Sequence, residues 1–356
     1  RQALVLPNGD VLVAEGRGGH APKLKPKDVI AGYIKATGNT DVKGGNRLTL
    51  LRDADGDGNY ELRTVFAENL DAPYGLALVG DALYVANQGA LVRFAYIDGQ
   101  TKASGPPVTV TELPSRINHH WTKHVVANRE GTKLYVTVGS NSNAAENGME
   151  EEADRAAILE VDPATGATRV FASGLRNPNG MAWNPETGAL WTVVNERDEI
   201  GSDLVPDYMT SVQRGGFYGW PYSYFGQHVD ERPQPPRPDL VAQAIAPDYA
   251  LGPHTGSLGL TFSSGNALPA AYRNGAFVGQ HGSWNRVPRS GYKVIFVPFA
   301  QGRPDGHPRD VLTGFVDGEG HALGRPVGVQ MAKDGALLVA DDVGDIIWRV
   351  TARSMR

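Results

Sequence analysis

Short stretches in which apolar and polar residues alternate recur along the whole chain, and each is followed by a turn and a second such stretch. A period of two residues predicts a half-buried β-strand, so each unit predicts a β-hairpin. Each turn of the repeated hairpins contains Gly or Asp. The six turns are Asn8-Gly9-Asp10, Gly80-Asp81, Arg129-Glu130-Gly131, Glu186-Thr187-Gly188, Arg273-Asn274-Gly275 and Lys333-Asp334-Gly335.

Further apolar segments after each hairpin predict a third and a fourth strand for most units. The fourth unit departs from this pattern, because a segment rich in Tyr, Pro and Gly follows its hairpin. Many short strands at regular spacing predict an all-β protein, and closure of six units around an axis predicts a six-bladed β-propeller. A β-sandwich and a β-helix are the alternatives. We expect residues 1–356 to form a single propeller domain with a long loop insertion at about 197–253.

The composition agrees with this fold and excludes other classes of protein. The chain of 356 residues has 44 Gly and 24 Pro, which disfavours long helices, and 41 % hydrophobic residues, which excludes disorder. Its net charge of −5, with basic residues spread along the chain, is untypical of a nucleic-acid-binding protein. No apolar run approaches the roughly 20 residues that cross a bilayer. The absence of Cys excludes thiolate metal sites, disulfides and cysteine nucleophiles.

In a propeller, the residues that precede the innermost strand of each blade meet around one end of the central channel. Aligning the units on Gly75, Gly180, Gly259 and Gly328 brings a basic and polar set to this mouth. The set comprises His119, His120, Arg176, Asn177, His254 and Arg325. Histidine and arginine without obvious acidic partners suit an anionic ligand and a general base.

The histidines at the third unit are the first candidates for chemistry. His119, His120 and His124 are the densest group among the nine in the chain. A histidine titrates near neutrality and can accept a proton, although a packed core or turn histidine is the alternative for each. Neighbouring side chains on a strand point in opposite directions, so only one of His119 and His120 faces the channel. A zinc site is weakly supported, because no third ligand lies at the required spacing.

Arg176 is the second candidate. It begins the turn Arg176-Asn177-Pro178-Asn179-Gly180, in which Asn, Pro and Gly have local reasons to be present but Arg has none. Its planar guanidinium suits a carboxylate or a developing oxyanion. The segment His281 to Arg286 offers Trp284 and Arg286 to the same region. The aromatic segment from Gly215 to Tyr222 predicts either a sugar-stacking surface or a loop packed on the edge of a blade.

Two segments carry oxygen ligands for a hard cation. Asp53, Asp55 and Asp57 occupy the first, third and fifth positions of a calcium loop, and Asn59 follows. The twelfth position is Thr64 rather than Glu, which excludes an EF-hand, so a structural calcium site or a solvated acidic hairpin is expected. The second segment runs from Asn195 to Glu199, where carboxylates and backbone carbonyls follow a strand. A charged loop is its alternative.

The chain has no Gly-x-Ser-x-Gly elbow, no phosphate-binding loop and no Gly-x-Gly-x-x-Gly motif after a strand. Serine-hydrolase chemistry and nucleotide cofactors are therefore poorly supported.

Several segments, in this order, resemble the pyrroloquinoline quinone (PQQ)-dependent sugar dehydrogenases, which are built on a six-bladed propeller. The closest branches are the L-sorbosone dehydrogenase-like enzymes and the fungal pyranose dehydrogenases. The segments are His119-His120-Trp121-Thr122-Lys123-His124, Leu134 to Ser140, Gly174-Leu175-Arg176-Asn177-Pro178, Asn195-Glu196-Arg197-Asp198, Phe217-Tyr218-Gly219-Trp220-Pro221 and His281 to Arg286.

The resemblance implies a role for each matching residue. His120 falls on the catalytic base, and Arg176 with Asn177 on the pair that contacts the quinone oxygens. Arg325 falls on a residue that holds PQQ carboxylates. A calcium ion would join PQQ to backbone carbonyls around Arg197 and Asp198.

Other positions depart from the soluble glucose dehydrogenase pattern. Ser140 replaces an Asp beside the base, Val327 replaces an Arg, and no Lys clearly matches the quinone-binding Lys, for which Arg286 or Lys293 can substitute. His254 is a further candidate cofactor contact. These departures leave glucose itself in doubt as the substrate.

The expected activity is oxidation of the anomeric carbon of an aldose, or of a sugar aldehyde, by hydride transfer to PQQ. We expect an electron-acceptor protein such as a cytochrome as partner, and an exported protein, periplasmic or extracellular. The chain begins Arg-Gln-Ala without Met, which fits a removed leader or a trimmed sequence. A calcium-dependent lactonase and a non-catalytic sugar-binding propeller are the alternatives.

Overall fold

The computed structural model describes residues 1–18, 44–116 and 118–352. These residues form six antiparallel sheets arranged as the blades of a propeller, with the first strand of each sheet innermost. Blade 1 comprises β1 (Gln2–Val5), β2 (Val11–Glu15), β3 (Arg47–Arg52) and β4 (Leu62–Ala67), and blade 2 comprises β5 (Gly75–Val79), β6 (Ala82–Ala86), β7 (Ala90–Ala95) and β8 (Val108–Glu112). Blade 3 comprises β9 (Val125–Ala127), β10 (Leu134–Val138), β11 (Ala157–Val161) and β12 (Thr168–Ser173). The predicted all-β propeller is confirmed.

The remaining blades follow in chain order. Blade 4 comprises β13 (Asn177–Trp183), β14 (Leu190–Asn195), β15 (Pro206–Ser211) and β18 (Tyr249–Pro253), with the short hairpin β16 (Ser223–Tyr224) and β17 (His228–Val229) between the last two. Blade 5 comprises β19 (Ser257–Phe262), β20 (Gly275–Gln280), β21 (Lys293–Ala300), β22 (Arg303–Pro304) and β23 (Arg309–Leu312). Blade 6 comprises β24 (Pro326–Met331), β25 (Leu337–Asp341) and β26 (Ile346–Val350). Helical turns lie at Met149–Glu152, Pro238–Val241 and Ala270–Tyr272.

The segment 197–253, predicted as a long loop insertion, differs in the structure. β15 and β18 lie within it and form the third and fourth strands of blade 4, so the insertion proper lies between them. Sequence pattern missed β15 because Pro206 and Asp207 begin it. Both residue types are depleted in strands, and Pro occurs mainly at the first position of a strand.

The second strand of every blade is buried almost throughout, since the neighbouring blades cover both faces of each sheet. Apolar side chains therefore form one cluster at each contact between blades. The cluster between blades 6 and 1 is the smallest, with Val11, Val13 and Leu338 as its buried members. A cavity of about 700 Å³ lies along this thin contact.

Four glycines let the inner strands approach each other around the channel. A Cβ on Gly75, Gly180, Gly259 or Gly328 would lie less than 3.0 Å from the backbone of the next inner strand. These are the glycines on which the repeats align in the sequence. The register shifts next to the last three, which places a bulge at the channel-facing start of β13, β19 and β24.

Candidate active site

The mouth of the channel is formed by two sets of connections that antiparallel pairing brings to the same face. One set joins each blade to the next, and the other joins the second strand of a blade to its third. Arg176 directly precedes β13, Arg325 directly precedes β24, and His254 and His120 lie shortly before β19 and β9. The polar residues aligned from the sequence therefore lie at one end of the channel.

His120 is held in one tautomer by the loop after β10. Its Nδ1 lies 2.8 Å from the Ser140 carbonyl oxygen and 3.0 Å from Ser140 Oγ. Ser140 Oγ donates its own proton to the Ser142 carbonyl at 2.6 Å. Both neighbours of Nδ1 are thus acceptors, so Nδ1 carries the proton and Nε2 carries the lone pair. Within the described chain, Nε2 has no hydrogen-bond partner.

The electrostatic surroundings keep this imidazole neutral. Burial, followed by the charge of Arg176, lowers the pKa of His120 well below its ordinary value. Asp198 acts in the opposite direction but does not outweigh them. His120 is therefore a neutral proton acceptor at neutral pH, whereas His119 beside it is exposed.

The Arg176 guanidinium is fixed by acceptors on the loops around it. It donates to the Glu196 carbonyl at 2.6 Å and to Asn143 Oδ1 at 2.8 Å, and Asp198 Oδ2 lies 3.5 Å away. Burial lowers its pKa, but the group remains charged. The arginine presents a rigid, partly neutralised positive charge beside His120.

Asn177 lies against His120 across Gly139. A Cβ on Gly139 would lie 2.5 Å from the Cβ of His120 and closer still to Asn177 Oδ1. That amide oxygen is buried and has no hydrogen-bond partner in the described chain. A buried acceptor without a donor is costly, so Asn177 Oδ1 is a position for a ligand donor or a water.

Asp198 connects the loop after β14 to blade 5. Its Oδ1 accepts a hydrogen bond from Asn285 Nδ2 at 3.0 Å and lies 3.3 Å from His254 Nδ1, while His254 Nε2 lies 3.1 Å from the Gly201 carbonyl. Both nitrogens of His254 face acceptors, and the bond to Asp198 raises its pKa. Burial opposes ionisation of Asp198, but His254, Arg176 and Asn285 outweigh it and lower its pKa to about 2.

Of the two backbone carbonyls expected to bind calcium, that of Asp198 is already occupied by hydrogen bonds. The Asp198 carbonyl accepts hydrogen bonds from Asn143 Nδ2 at 3.0 Å and Arg232 Nη1 at 3.2 Å, so an ion would have to displace them. The Arg197 side chain is fully buried, where it pairs with Glu196 and with Asp230 at 2.9 Å. Arg197 thus fixes the loop through its side chain, and only its backbone is available for a ligand.

Asp207, near the same loop, acts as an internal acceptor. Its carboxylate accepts from the Glu196 N–H at 2.8 Å, from Thr255 Oγ1 at 2.9 Å and from the Gly256 N–H at 2.8 Å. Burial raises its pKa to about 6 although these bonds oppose the shift. It joins the loop after β14 to the start of blade 5.

The expectation of basic groups without acidic partners was wrong. Within the predicted set, Asp198 lies 3.3 Å from His254 Nδ1 and 3.5 Å from Arg176. Outside that set, Arg286 pairs with Asp203 at 2.8 Å, and His281 lies 2.9 Å from Asp342. Lys293 pairs with Asp310 at 2.7 Å. These carboxylates lie far from their partners along the chain, so the local sequence gave no sign of them.

Arg325 keeps part of its donor capacity. Its Nε donates to the His281 carbonyl at 2.8 Å and its Nη2 to the Gly282 carbonyl at 2.7 Å, and the guanidinium lies 5.3 Å from the centre of the Tyr292 ring. The contacts of the described residues leave Nη1 without a partner. Burial lowers the pKa of Arg325, which still remains charged.

Asn143 is a site residue that sequence reasoning missed. Its Oδ1 accepts from Arg176 and from the Asp198 N–H at 2.8 Å, and its carbonyl accepts from Trp220 Nε1 at 2.9 Å. It therefore joins the loops of blades 3 and 4 to the insertion. Nothing in its local sequence distinguishes it from an ordinary loop asparagine. The sequence also gave no sign that Lys123, just before β9, would be fully buried.

The aromatic segment around Phe217 is a packed loop. Phe217 bridges to Ser173 at the end of β12, Tyr218 and Trp220 are buried, and the Trp220 N–H donates to the Gly174 carbonyl at 3.0 Å. The sugar-stacking alternative finds no support, because these two rings are covered by protein.

The acidic loop joins β3 to β4, and antiparallel pairing places it on the face opposite the mouth. Oxygens of Asp53, Asp55, Asp57 and Glu61 lie within 4.8 Å of one another. Asn59, predicted as the fourth member, donates its side-chain amide to Asp57 at 2.9 Å. Glu61 occupies the ninth position of the EF-hand spacing and was missed as a candidate ligand.

Residues 80–284, more than half of the chain, match the family described as glucose/sorbosone dehydrogenase. The chain belongs to this family. Residues 237–353 also match the family described as TrAA12-like.

Two curated relatives are similar to this chain over part of their length. An uncharacterized protein of Borreliella burgdorferi is 29 % identical over 233 residues, which are 65 % of this chain and 60 % of that protein. A pyrroloquinoline quinone-dependent pyranose dehydrogenase of Coprinopsis cinerea is 25 % identical over 299 residues, with 66 % of this chain and 40 % of that protein covered. This family member thus spans only part of the length of the curated relatives it matches.

The fold has a counterpart among solved structures. The holo form of the pyranose dehydrogenase PQQ domain from Coprinopsis cinerea superposes with a TM-score of 0.77 at 21 % identity, covering 99 % of this chain and 92 % of that one. Among the described residues, no helix is long and apolar enough to cross a membrane.

Proposed function

We propose that this member of the glucose/sorbosone dehydrogenase family is a PQQ-dependent dehydrogenase that oxidises the anomeric carbon of an aldose or a sugar aldehyde. The observation that carries the proposal is His120. Its Nδ1 faces two acceptors on Ser140, so its Nε2 presents a lone pair at the channel mouth beside Arg176. A neutral imidazole beside a fixed positive charge suits removal of a hydroxyl proton.

The residues present fit a quinone with acidic substituents. Asn177 Oδ1 is a buried acceptor without a donor, and Arg325 has a free Nη1 in the described structure. Arg176, Asn177 and Arg325 would hold PQQ, with His254 and Arg286 at the margin. When bound, PQQ supplies the electrophilic carbonyl that accepts the hydride from the substrate carbon.

The protein's own part in the reaction is proton transfer and charge stabilisation. His120 Nε2 takes the proton of the anomeric hydroxyl, or of a hydroxyl of the hydrated aldehyde, while the carbon loses hydride and becomes a carbonyl. Arg176 is held by Glu196 and Asn143, so its charge needs no rearrangement to stabilise negative charge that develops nearby. A fixed charge of this kind commonly contributes about 3 kcal/mol.

Two calcium sites belong to the proposal. One uses the backbone carbonyls around Arg197 and Asp198 together with the cofactor, and it requires the two hydrogen bonds on the Asp198 carbonyl to give way. The other is a structural site at Asp53, Asp55 and Asp57 with Asn59. The electron acceptor would be a separate protein such as a cytochrome.

The lactonase alternative needs several carboxylates around one axial ion. Within the described part of the chain, the His and acidic ligands that lie close enough to share a metal are those of the acidic loop on the opposite face. The geometry therefore favours the dehydrogenase.

The deciding experiment is calorimetry of PQQ binding to the protein in excess calcium, followed by reduction of an artificial dye with a panel of aldoses and sugar aldehydes. We expect saturable PQQ binding and sugar-dependent dye reduction. Absence of PQQ binding would remove the dehydrogenase proposal and leave the sugar-binding propeller.

A paired substitution tests the base. His120→Ala should lower turnover by about 10²-fold or more while PQQ still binds, because a general base is lost. His119→Ala should have little effect, since His119 is exposed beside it. Equal losses in both variants would contradict the role of His120.

A further inference from the structure

The four residues from Ser140 to Asn143 contact both the base and the arginine of the candidate active site. Ser140 accepts the Nδ1 proton of His120, and Asn143 accepts from the guanidinium of Arg176. The position of the base and the position of the arginine therefore depend on the conformation of one short loop segment.

A single buried carboxylate holds this segment. Glu152 Oε2 accepts from the Asn141 N–H at 2.7 Å, and Oε1 accepts from the Ser142 N–H at 3.0 Å and from Ser142 Oγ at 2.6 Å. Glu152 is 5 % exposed. Its bonds end on the two residues between Ser140 and Asn143. Among the described contacts, Glu152 makes no hydrogen bond to the side chain of His120 or of Arg176.

We propose that Glu152 is a positioning residue of the active site, whose carboxylate holds residues 140–143 so that Ser140 sets the tautomer of His120 and Asn143 sets the orientation of Arg176. The catalytic part of this inference rests on the proposed dehydrogenase function. The structural part, which concerns the tautomer of His120, does not.

The chemistry of the three donors explains why a carboxylate is needed. A carboxylate has two oxygens that only accept, whereas an amide of the same shape has one oxygen and one NH2 group. Glutamine at position 152 would have to place its NH2 group either against the N–H of Asn141 or against the N–H and the hydroxyl of Ser142. Because an unsatisfied buried donor costs about 1–3 kcal/mol, the segment should move to avoid this arrangement.

The test is Glu152→Gln, examined first without cofactor. In protein labelled with 15N-histidine, the signal of His120 is assigned by its loss in His120→Ala. The wild type should show a protonated Nδ1 and a bare Nε2, and the variant should show a population with the proton on Nε2. An unchanged His120 signal in folded Glu152→Gln would overturn the proposal.

The kinetic arm uses the PQQ- and calcium-loaded enzyme. We expect kcat to fall by about 10²-fold, the cost of misplacing a reacting group by about 1 Å, with little change in KM. If the protein binds no PQQ, the proposed function fails while the tautomer measurement still decides the role of Glu152. A changed tautomer with wild-type kcat would refute the catalytic part.

Glu160→Gln is the matched control, because Glu160 is also a buried carboxylate of blade 3 but pairs with Arg169 and Arg214. It should leave the His120 signal and kcat unchanged. If Glu152→Gln does not fold, Ser142→Ala is the variant that tests the proposal, because it removes one of the three hydrogen bonds to the Glu152 carboxylate. It should shift His120 in the same direction by less, and wild-type behaviour in both measurements would overturn the proposal.

Discussion

Lys123 is a lysine buried in the protein interior, where a charged ammonium group is destabilising. Its side chain is fully buried before β9, and its Nζ makes one long hydrogen bond, 3.3 Å to the Trp121 carbonyl. Burial, with a smaller contribution from the charge of Arg155, lowers the pKa of Lys123 from 10.5 to about 7. The folded state therefore binds this proton more weakly than the unfolded chain does.

Replacement of this lysine by methionine should stabilise the protein at neutral pH. A depressed lysine pKa means that the wild type has its full stability above pH 10.5 and loses stability as the pH falls towards 7. At about 1.4 kcal/mol per pH unit, the free-energy cost of burying the lysine is on the order of 4 kcal/mol at pH 7 and about 2 kcal/mol at pH 9. The lost hydrogen bond to Trp121 offsets about 1 kcal/mol of the gain.

The assay is urea unfolding of wild type and Lys123→Met between pH 7 and pH 10. The variant should be more stable at pH 7, and its advantage should shrink steadily as the pH rises. Lys133→Met is the control, because Lys133 is partly exposed and pairs with Asp162 at 2.7 Å, so its loss should not stabilise the protein. A stability difference that does not vary with pH, or a less stable Lys123→Met at pH 7, would refute the reasoning.

Two further predictions concern the mouth and the acidic loop. Gly139→Ala should lower kcat by about 10²-fold, because the new methyl group would displace His120 or Asn177; Gly105→Ala, made in open space, should match the wild type in the same dye assay. The melting temperature of the wild type should rise with calcium in the absence of PQQ, as expected for an ion that binds only the native state. Replacing both Asp55 and Asp57 by Ala should remove that rise in melting temperature and leave the activity per folded molecule intact. If the double variant keeps the calcium response, the loop is only a solvated turn.

The propeller was predictable because its determinants are local and repeated. Each hairpin turn combines Gly or Asp with flanking alternation, and the aligned glycines mark the places where inner strands meet. Blade 4 was predicted less well, since Pro206 and Asp207 conceal the start of β15 and the insertion separates β15 from β18. A strand whose partner lies some 40 residues away leaves little periodic signal.

The candidate site was predictable to the extent that the repeat fixes backbone positions. The alignment brings His120, Arg176 and Arg325 to the mouth, because equivalent positions in successive blades converge there. Of the supporting residues, only Ser140 was placed beside the base, and that by the resemblance. Asn143 and Glu152 were not predictable, because they come from the loop after β10, whose conformation depends on contacts with blade 4 and the insertion. Polar contacts between loops have no period in the sequence.

The acidic partners change how an anionic cofactor would bind. Arg176 lies near Asp198, Arg286 pairs with Asp203 and His281 with Asp342, so most positive charge at the mouth is already balanced. An anionic quinone would find only a few uncommitted donors, such as Nη1 of Arg325. The proposed calcium ion beside Arg197 and Asp198 would supply the largest additional positive charge. Calcium prefers six to eight oxygen ligands, more than two backbone carbonyls provide, so ion and cofactor should each complete the site of the other. Binding of PQQ and of calcium at the mouth should therefore be strongly and reciprocally coupled, and each should bind weakly alone.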